Sequence, residues 1–201
     1  SQWGHDFRPE YRQIAALRKH IPAVNIIALT ATATKQVVAD IEEQLALKNP
    51  AVFAKSFERK NLQYIVRQTE NKAEKLLSVL TNSHGSGLVY VRNRKQTEEI
   101  AKFLNKNNIK ADFYHAGING ELRSQKQNNW IQNKIRIMVC TNAFGMGIDK
   151  PDCRVVIHFE MPDCLEAYYQ EAGRAGRDEK PAFCVLLHDA SDDINAKKKI
   201  G

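Results

Sequence analysis

The 201-residue chain is 43% hydrophobic, enough for one full packed domain plus a piece of another, and it carries a formal charge of +7 at pH 7. No apolar run approaches the ~18 residues of a membrane span, and the amino terminus lacks a basic-then-apolar signal pattern, which excludes a membrane partner from the expectation. The basic balance, with a pI of about 9.2, favours a polyanion as partner, and nucleic acid is the economical one.

Residues 1–11, SQWGHDFRPEY, set Trp3, His5, Phe7 and Tyr11 around Gly4, Asp6 and Pro9 and read as an aromatic loop. Such a loop is either a hydrophobic flap or, with Arg8 interleaved, a stacking surface for unpaired bases. Pro9 opens an expected helix to about His20, whose basic end suits the helix dipole. Residues 25–29 are a short apolar run compatible with a buried strand. They lead into Thr30-Ala31-Thr32-Ala33-Thr34 and a helix to about Leu45, capped by Thr34, with Val37, Val38, Ile41 and Leu45 inward. Hydroxyls there are cap and loop residues, or lie between two ligand sites at a strand's carboxyl end.

From 48 to 61 no period is sustained, and this stretch is the expected linker between segments 1–47 and 62–201. Beyond it strands are predicted at 62–66, 88–91, 111–115, 135–141, 154–159 and 182–188, with helices at 72–80, from Asn93 to about Asn105, and from Asn119 to about Gln132. Asn93 reads as an N-cap with Gln96 at the box position. Apolar strands separated by helical segments imply right-handed crossovers and a mostly parallel sheet with helices on both faces, an α/β fold. Ligands of such sheets bind at the strands' carboxyl ends, which points to His115, Thr141 and Met161 onwards. Lys197, Lys198 and Lys199 read as a solvated tail. The four cysteines show no CxxC pairing, so reduced thiols and no zinc site are expected.

The stretch YYQEAGRAGRD, residues 168–178, organises the rest. Asp163 is the expected N-cap of its helix, with Glu166 closing a capping box. On one continuous helix Gln170, Arg174 and Arg177 fall at i, i+4 and i+7, a single face. Gly173 and Gly176 each cost a helix ~1 kcal/mol relative to Ala, which implies that a backbone or ligand comes close. Two guanidinium forks suit the charge on a transferring phosphoryl group, although a solvated Arg/Glu face would look the same. After the strand ending at Thr141, Gly145 and Gly147 bracket a turn able to offer N–H groups to phosphate, and Asp149 is placed to accept from a sugar hydroxyl. Lys150 stands where a dinucleotide fingerprint needs its third glycine.

In that order and spacing, SQWGHDFRPEY, TATAT, LVYVRNR, YHAG, TNAFGMGIDKP and YYQEAGRAGRD resemble the RecQ-family DNA helicases, from just after the DEAH box to the end of the second RecA-like lobe. The resemblance implies residues 1–47 as the end of the first RecA-like lobe, 48–61 as the inter-lobe linker and 62–201 as the second lobe. It implies an ATP-dependent 3′–5′ DNA helicase using ATP and Mg2+, acting on single-stranded and partly duplex DNA, in a cytoplasmic nucleoid-associated or nuclear setting. By the same resemblance Arg174 and Arg177 are arginine fingers supported by Gln170, Gly147 lies at the nucleotide, and Asp149 contacts the nucleotide sugar or bridges the two lobes. Thr141, Asn142 and Gly145 line the single-strand track with Arg94, His115 and Gly117. Thr30 and Thr32 couple hydrolysis to movement, and the loop holding Trp3, His5, Phe7 and Arg8 senses DNA.

Asn93 departs from the Ser or Thr expected there, and Glu179 from the usual Gly. None of the ten glycines is followed by Lys, so the phosphate-cradling loop is not in this sequence, and neither is the acidic box for Mg2+. The chain by itself is therefore expected to hydrolyse no ATP, needing the core of the first lobe in cis. A non-enzymatic nucleic-acid-binding module and an RNA-directed helicase relative stay open as alternatives.

Overall fold

The computed structural model describes residues 14–16, 20–21, 24–30, 33–54, 56, 58–145, 148–190 and 192. The chain divides into two compact units, Ser1–Glu58 and Arg59–Gly201. In the first, helix α1 (Lys35–Gln44) starts where Thr34 accepts a hydrogen bond from Val37 N–H at 3.3 Å and stops with Ala46 in the left-handed region. Val37, Val38, Ile41 and Leu45 are half-buried. Of the helix expected over 9–20, residues 14–16 form a 3-10 turn and most of the rest lies outside the described residues. The strand expected over 25–29 does not form: Ile27 is 80% and Leu29 90% exposed. A strand needs a neighbour to take its N–H and C=O groups, and among the described residues none lies beside it.

The second unit is the predicted α/β sandwich. Its elements run β1 (Leu62–Gln68), α2 (Lys72–Thr81), β2 (Ser86–Tyr90), α3 (Arg94–Lys106), β3 (Ala111–Tyr114), α4 (Gly120–Ile131), β4 (Ile137–Cys140), β5 (Cys153–His158), α5 (Leu165–Ala172) and β6 (Ala182–His188). All strand pairs are parallel, in the order β1-β6-β5-β2-β4-β3. Asn71, Asn93 and Asn119 cap α2, α3 and α4 by accepting from backbone N–H groups. Asn93 binds Gln96 N–H at 2.8 Å, so Asn serves where Ser or Thr was expected. Asn108 and Asn133, at φ of 61° and 59°, end α3 and α4 in the left-handed region that Asn tolerates.

Period-two alternation divides the sheet's side chains between two apolar layers. Leu88, Tyr90, Met138, Cys140, Val156 and Cys184 face Trp130 of α4 and Ala172 of α5. Val89, Ile137, Val139, Ile157 and Leu187 face Leu76 and Leu80 of α2 and Leu104 of α3. Burial on both faces is why β4 and residues 88–90 of β2 are continuously apolar. From β2 the chain passes over β4's place to β3, returns to β4, then crosses to β5 on the far side of β2. That reversal makes the carboxyl ends around β2 the switch point of the sheet. Among the described residues no helix is long and apolar enough to cross a membrane.

Candidate nucleotide and nucleic-acid site

The arginine-bearing stretch is not one helix. Helix α5 closes at Ala172 with Gly173 as its C-cap, and turns follow. Gly176 takes φ +54°, where a side chain would be strained, and a Cβ there would sit 2.5 Å from Asn61 Nδ2 and 2.8 Å from Lys180 O. The sequence reading of Gly176 as a point of close approach therefore holds, but the single face shared by Gln170, Arg174 and Arg177 does not. The helix start is also corrected: Cys164 is the N-cap and makes no side-chain cap bond. Asp163 instead takes Arg92 Nη1 at 2.8 Å, so its carboxylate is committed elsewhere.

Both arginines bond to the connection from β4 to β5, whose described residues 141–145 and 148–152 form no helix or strand and which is anchored by Phe144. Phe144 is fully buried between Tyr114 and Trp130, and its carbonyl accepts from Tyr90 Oη at 3.0 Å. Burial, with the neighbouring Cys140, holds the Tyr90 hydroxyl well above its ordinary pKa, so it stays a donor. Arg174 Nη1 donates to Gly145 O at 2.6 Å, and its Nε is buried with no partner among the described residues. A Cβ on Gly145 would lie 2.5 Å from Arg174 Nη2, so a side chain there would displace the guanidinium. Arg177 Nη1 reaches Asp149 Oδ1 at 2.8 Å and Ile148 O at 3.3 Å. The side chains of Arg177 and Asp149 are 37% and 73% exposed, and ion pairs of that kind hold their partners with only ~0–1 kcal/mol. Arg174 is thus braced on backbone, while Arg177 is held by a partner it can exchange.

A second group forms at the carboxyl ends of three adjacent strands. Arg94 opens α3 after β2, His115 and Gly117 follow β3, and Thr141 and Asn142 follow β4. His115 Nδ1 accepts from Gly117 N–H at 3.2 Å, which leaves the proton of a neutral ring on Nε2, 3.5 Å from Glu98. Gly117 packs against the Arg94 guanidinium, and a Cβ there would meet Arg94 Nη1 at 3.0 Å. Thr141 is buried, donates its N–H to Tyr114 O, and accepts at Oγ1 from Ala143 N–H, while Asn142 is exposed beside it.

Gln170 and Thr30 are exposed. Trp3, His5, Phe7, Arg8, Thr32 and Gly147 lie outside the described residues. Sequence reasoning missed the buried His158, which pairs with Glu171 at 2.9 Å and stacks on Tyr90, tying α5 to β5 behind Arg174. It also missed Arg59 and Asn61, which were read as linker although both bond to the glycine loop. Their ligands are backbone carbonyls more than 110 residues away, and no spacing rule records such a contact.

Residues 71–179, more than half of the chain, match the helicase conserved C-terminal domain. The chain belongs to that helicase family. Its curated relatives place it on the RecQ branch. It is 45% identical over its full length to the Caenorhabditis elegans RecQ-like DNA helicase blm-1, covering 21% of that protein. Over 96% of its length it is 42% identical to the probable ATP-dependent DNA helicase RecS of Bacillus subtilis, covering 40% of it. It is 41% identical, again over 96%, to the rat ATP-dependent DNA helicase Q1, covering 32% of it. The chain therefore spans between a fifth and two fifths of these relatives. Among solved structures, Escherichia coli DEAD-box protein SrmB bound to RraA superposes with a TM-score of 0.63 over 72% of this chain and 88% of that one, at 22% identity. That likeness speaks for the RecA-like fold alone.

Proposed function

We propose that this chain is the part of an ATP-dependent 3′–5′ DNA helicase that supplies arginine fingers and single-strand contacts, with residues 1–47 ending the first lobe, 48–61 linking, and 62–201 forming the second lobe. The observation that carries the reading is the unequal tethering of the two arginines: Arg174 on the Gly145 carbonyl, Arg177 on the exposed Asp149 carboxylate. A polyphosphate competes more readily for the second than for the first, because an exposed ion pair is weak and a charge-assisted bond from a half-buried guanidinium to a carbonyl is stronger. Arg177 then moves onto the phosphates and Asp149, released from it, is left to accept from the ribose, while Arg174 stays on the Gly145 carbonyl as the braced finger of the two.

ATP supplies the phosphoryl group for transfer to water, and the charge that develops on its oxygens is what a planar fork such as Arg177 offsets. Among the described residues no three His, Cys, Asp or Glu side chains gather to hold a metal ion. Arg94, His115, Gly117, Thr141, Asn142 and Gly145 form the strand-end surface for the DNA backbone, and the aromatic loop of Trp3, His5, Phe7 and Arg8, with Thr30 and Thr32, belongs to the coupling of DNA to hydrolysis.

The test is Arg177→Ala in the complete helicase polypeptide. DNA-stimulated kcat is expected to fall by ~10³-fold with ATP affinity kept within about tenfold, since a finger acts on transition-state charge. A variant that loses ATP binding while keeping kcat would make Arg177 a ground-state contact and refute the assignment.

A further inference from the structure

Arg59 and Asn61 stand directly before β1, where the chain enters the second unit, and both turn back onto the loop that carries Arg177. Arg59 Nη2 donates to Gly176 O at 2.7 Å and lies 3.4 Å from Ala175 O. Asn61 Nδ2 donates to the same Gly176 oxygen at 2.7 Å and to Lys180 O at 2.9 Å. The two side chains are joined through Arg59 Nε and Asn61 Oδ1 at 3.3 Å, and Glu179 N–H brings a third donor to Gly176 O at 3.0 Å. From the other side Gly176 N–H donates to Cys153 O at 2.8 Å, at the first residue of β5. The loop is therefore gripped at both ends of one residue.

That grip has a direction. The Gly176 carbonyl shares a rigid peptide plane with the nitrogen and Cα of Arg177, so fixing the oxygen fixes the place of that Cα and leaves the side chain only the turn about its own N–Cα bond. We propose that Arg59 and Asn61 are positioning residues which aim Arg177 at the nucleotide phosphates. The proposal rests on the arginine-finger reading of Arg177. A guanidinium on a carbonyl is a strong bond, and the grip converts a turn containing two glycines, Gly173 and Gly176, into a fixed mount.

The experiment is a kinetic cycle in the complete helicase polypeptide. Arg59→Ala and Asn61→Ala are each expected to lower DNA-stimulated kcat by about 10- to 100-fold, the scale of a misplaced catalytic group, with the KM for ATP little changed. Arg59→Lys, which keeps one donor and loses the fork, should recover part of the loss. The double variant Arg59→Ala with Arg177→Ala should be no slower than Arg177→Ala alone, because residues acting through one group are not additive. Amide exchange separates this from general unfolding: the Gly176 and Arg177 amides should lose protection while those of β2 and β4 keep theirs. Clasp variants with intact kcat beside a dead Arg177→Ala would overturn the proposal and leave the finger standing. So would full additivity in the double variant, or equal loss of protection in β2 and β4. If instead Arg177→Ala keeps its kcat while the clasp variants still free the Gly176 amide, the finger reading fails and the clasp is only a loop anchor.

Discussion

Gly176→Ala is the substitution with the most to say about how this site is built. Placing an alanine at φ +54° costs ~1 to 2 kcal/mol, the penalty of a Cβ in the left-handed region. The new methyl would also lie 2.5 Å from Asn61 Nδ2, 2.8 Å from Lys180 O and 3.0 Å from Ala182 Cβ, and of these only the Asn61 side chain can turn away. Asn61 must withdraw, and with it go its bonds to Gly176 O and Lys180 O, each worth about 1 kcal/mol net. Alanine's smaller unfolded-state entropy returns ~0.4 to 1 kcal/mol, leaving a loss near 2 to 3 kcal/mol. With a urea dependence of ~2 kcal/mol per molar, the unfolding midpoint should fall by about 1 to 1.5 M at unchanged slope. Gly120→Ala is the internal control, since nothing lies within 4 Å of its Cβ position and it begins α4, where alanine is the better helix former. Gly176→Ala unfolding at the same urea concentration as Gly120→Ala would refute the tight clasp altogether.

Glu179 occupies φ 64°, so Glu179→Gly is expected to stabilise the chain by ~0.5 to 1 kcal/mol in the same urea titration, the left-handed penalty less glycine's greater unfolded-state freedom. A thiol reagent should modify Cys164 quickly in the native chain and reach the other three cysteines only on unfolding. Cys140, Cys153 and Cys184 are buried, and burial pushes the last two thiols up to about 12. The hydrogen bond from Arg154 holds Asp178 below its usual carboxylate pKa. Its contribution to stability is therefore complete above the unfolded value and is lost as pH falls through the lowered folded value. The gap in melting temperature between wild type and Asp178→Asn should shrink between about pH 5 and pH 2, and a constant gap would contradict the assignment.

Much of the second unit was legible residue by residue. The apolar runs that became β2 and β4 read as strands because both faces are covered, so no polar alternation hides them. Caps were visible where a short polar side chain precedes a helix, as at Thr34 and Asn93, since that bond is made within three residues. Asp163 looked the same in sequence and was misread, because Arg92, some seventy residues earlier, takes its carboxylate. The run at 25–29 was misread for the opposite reason: apolarity licenses a strand, and a strand forms only beside a partner. At the site, the residue types alone pointed to phosphate chemistry, whereas helical spacing misplaced their geometry. Arg174 and Arg177 converge not on a helix face but on the 145–149 segment, through a turn whose left-handed glycine is clasped by Arg59 and Asn61. Local bonds leave their mark in local sequence, but which carbonyl an arginine finds across the sheet is decided only when β1, β5 and β6 have brought distant backbone within 3 Å.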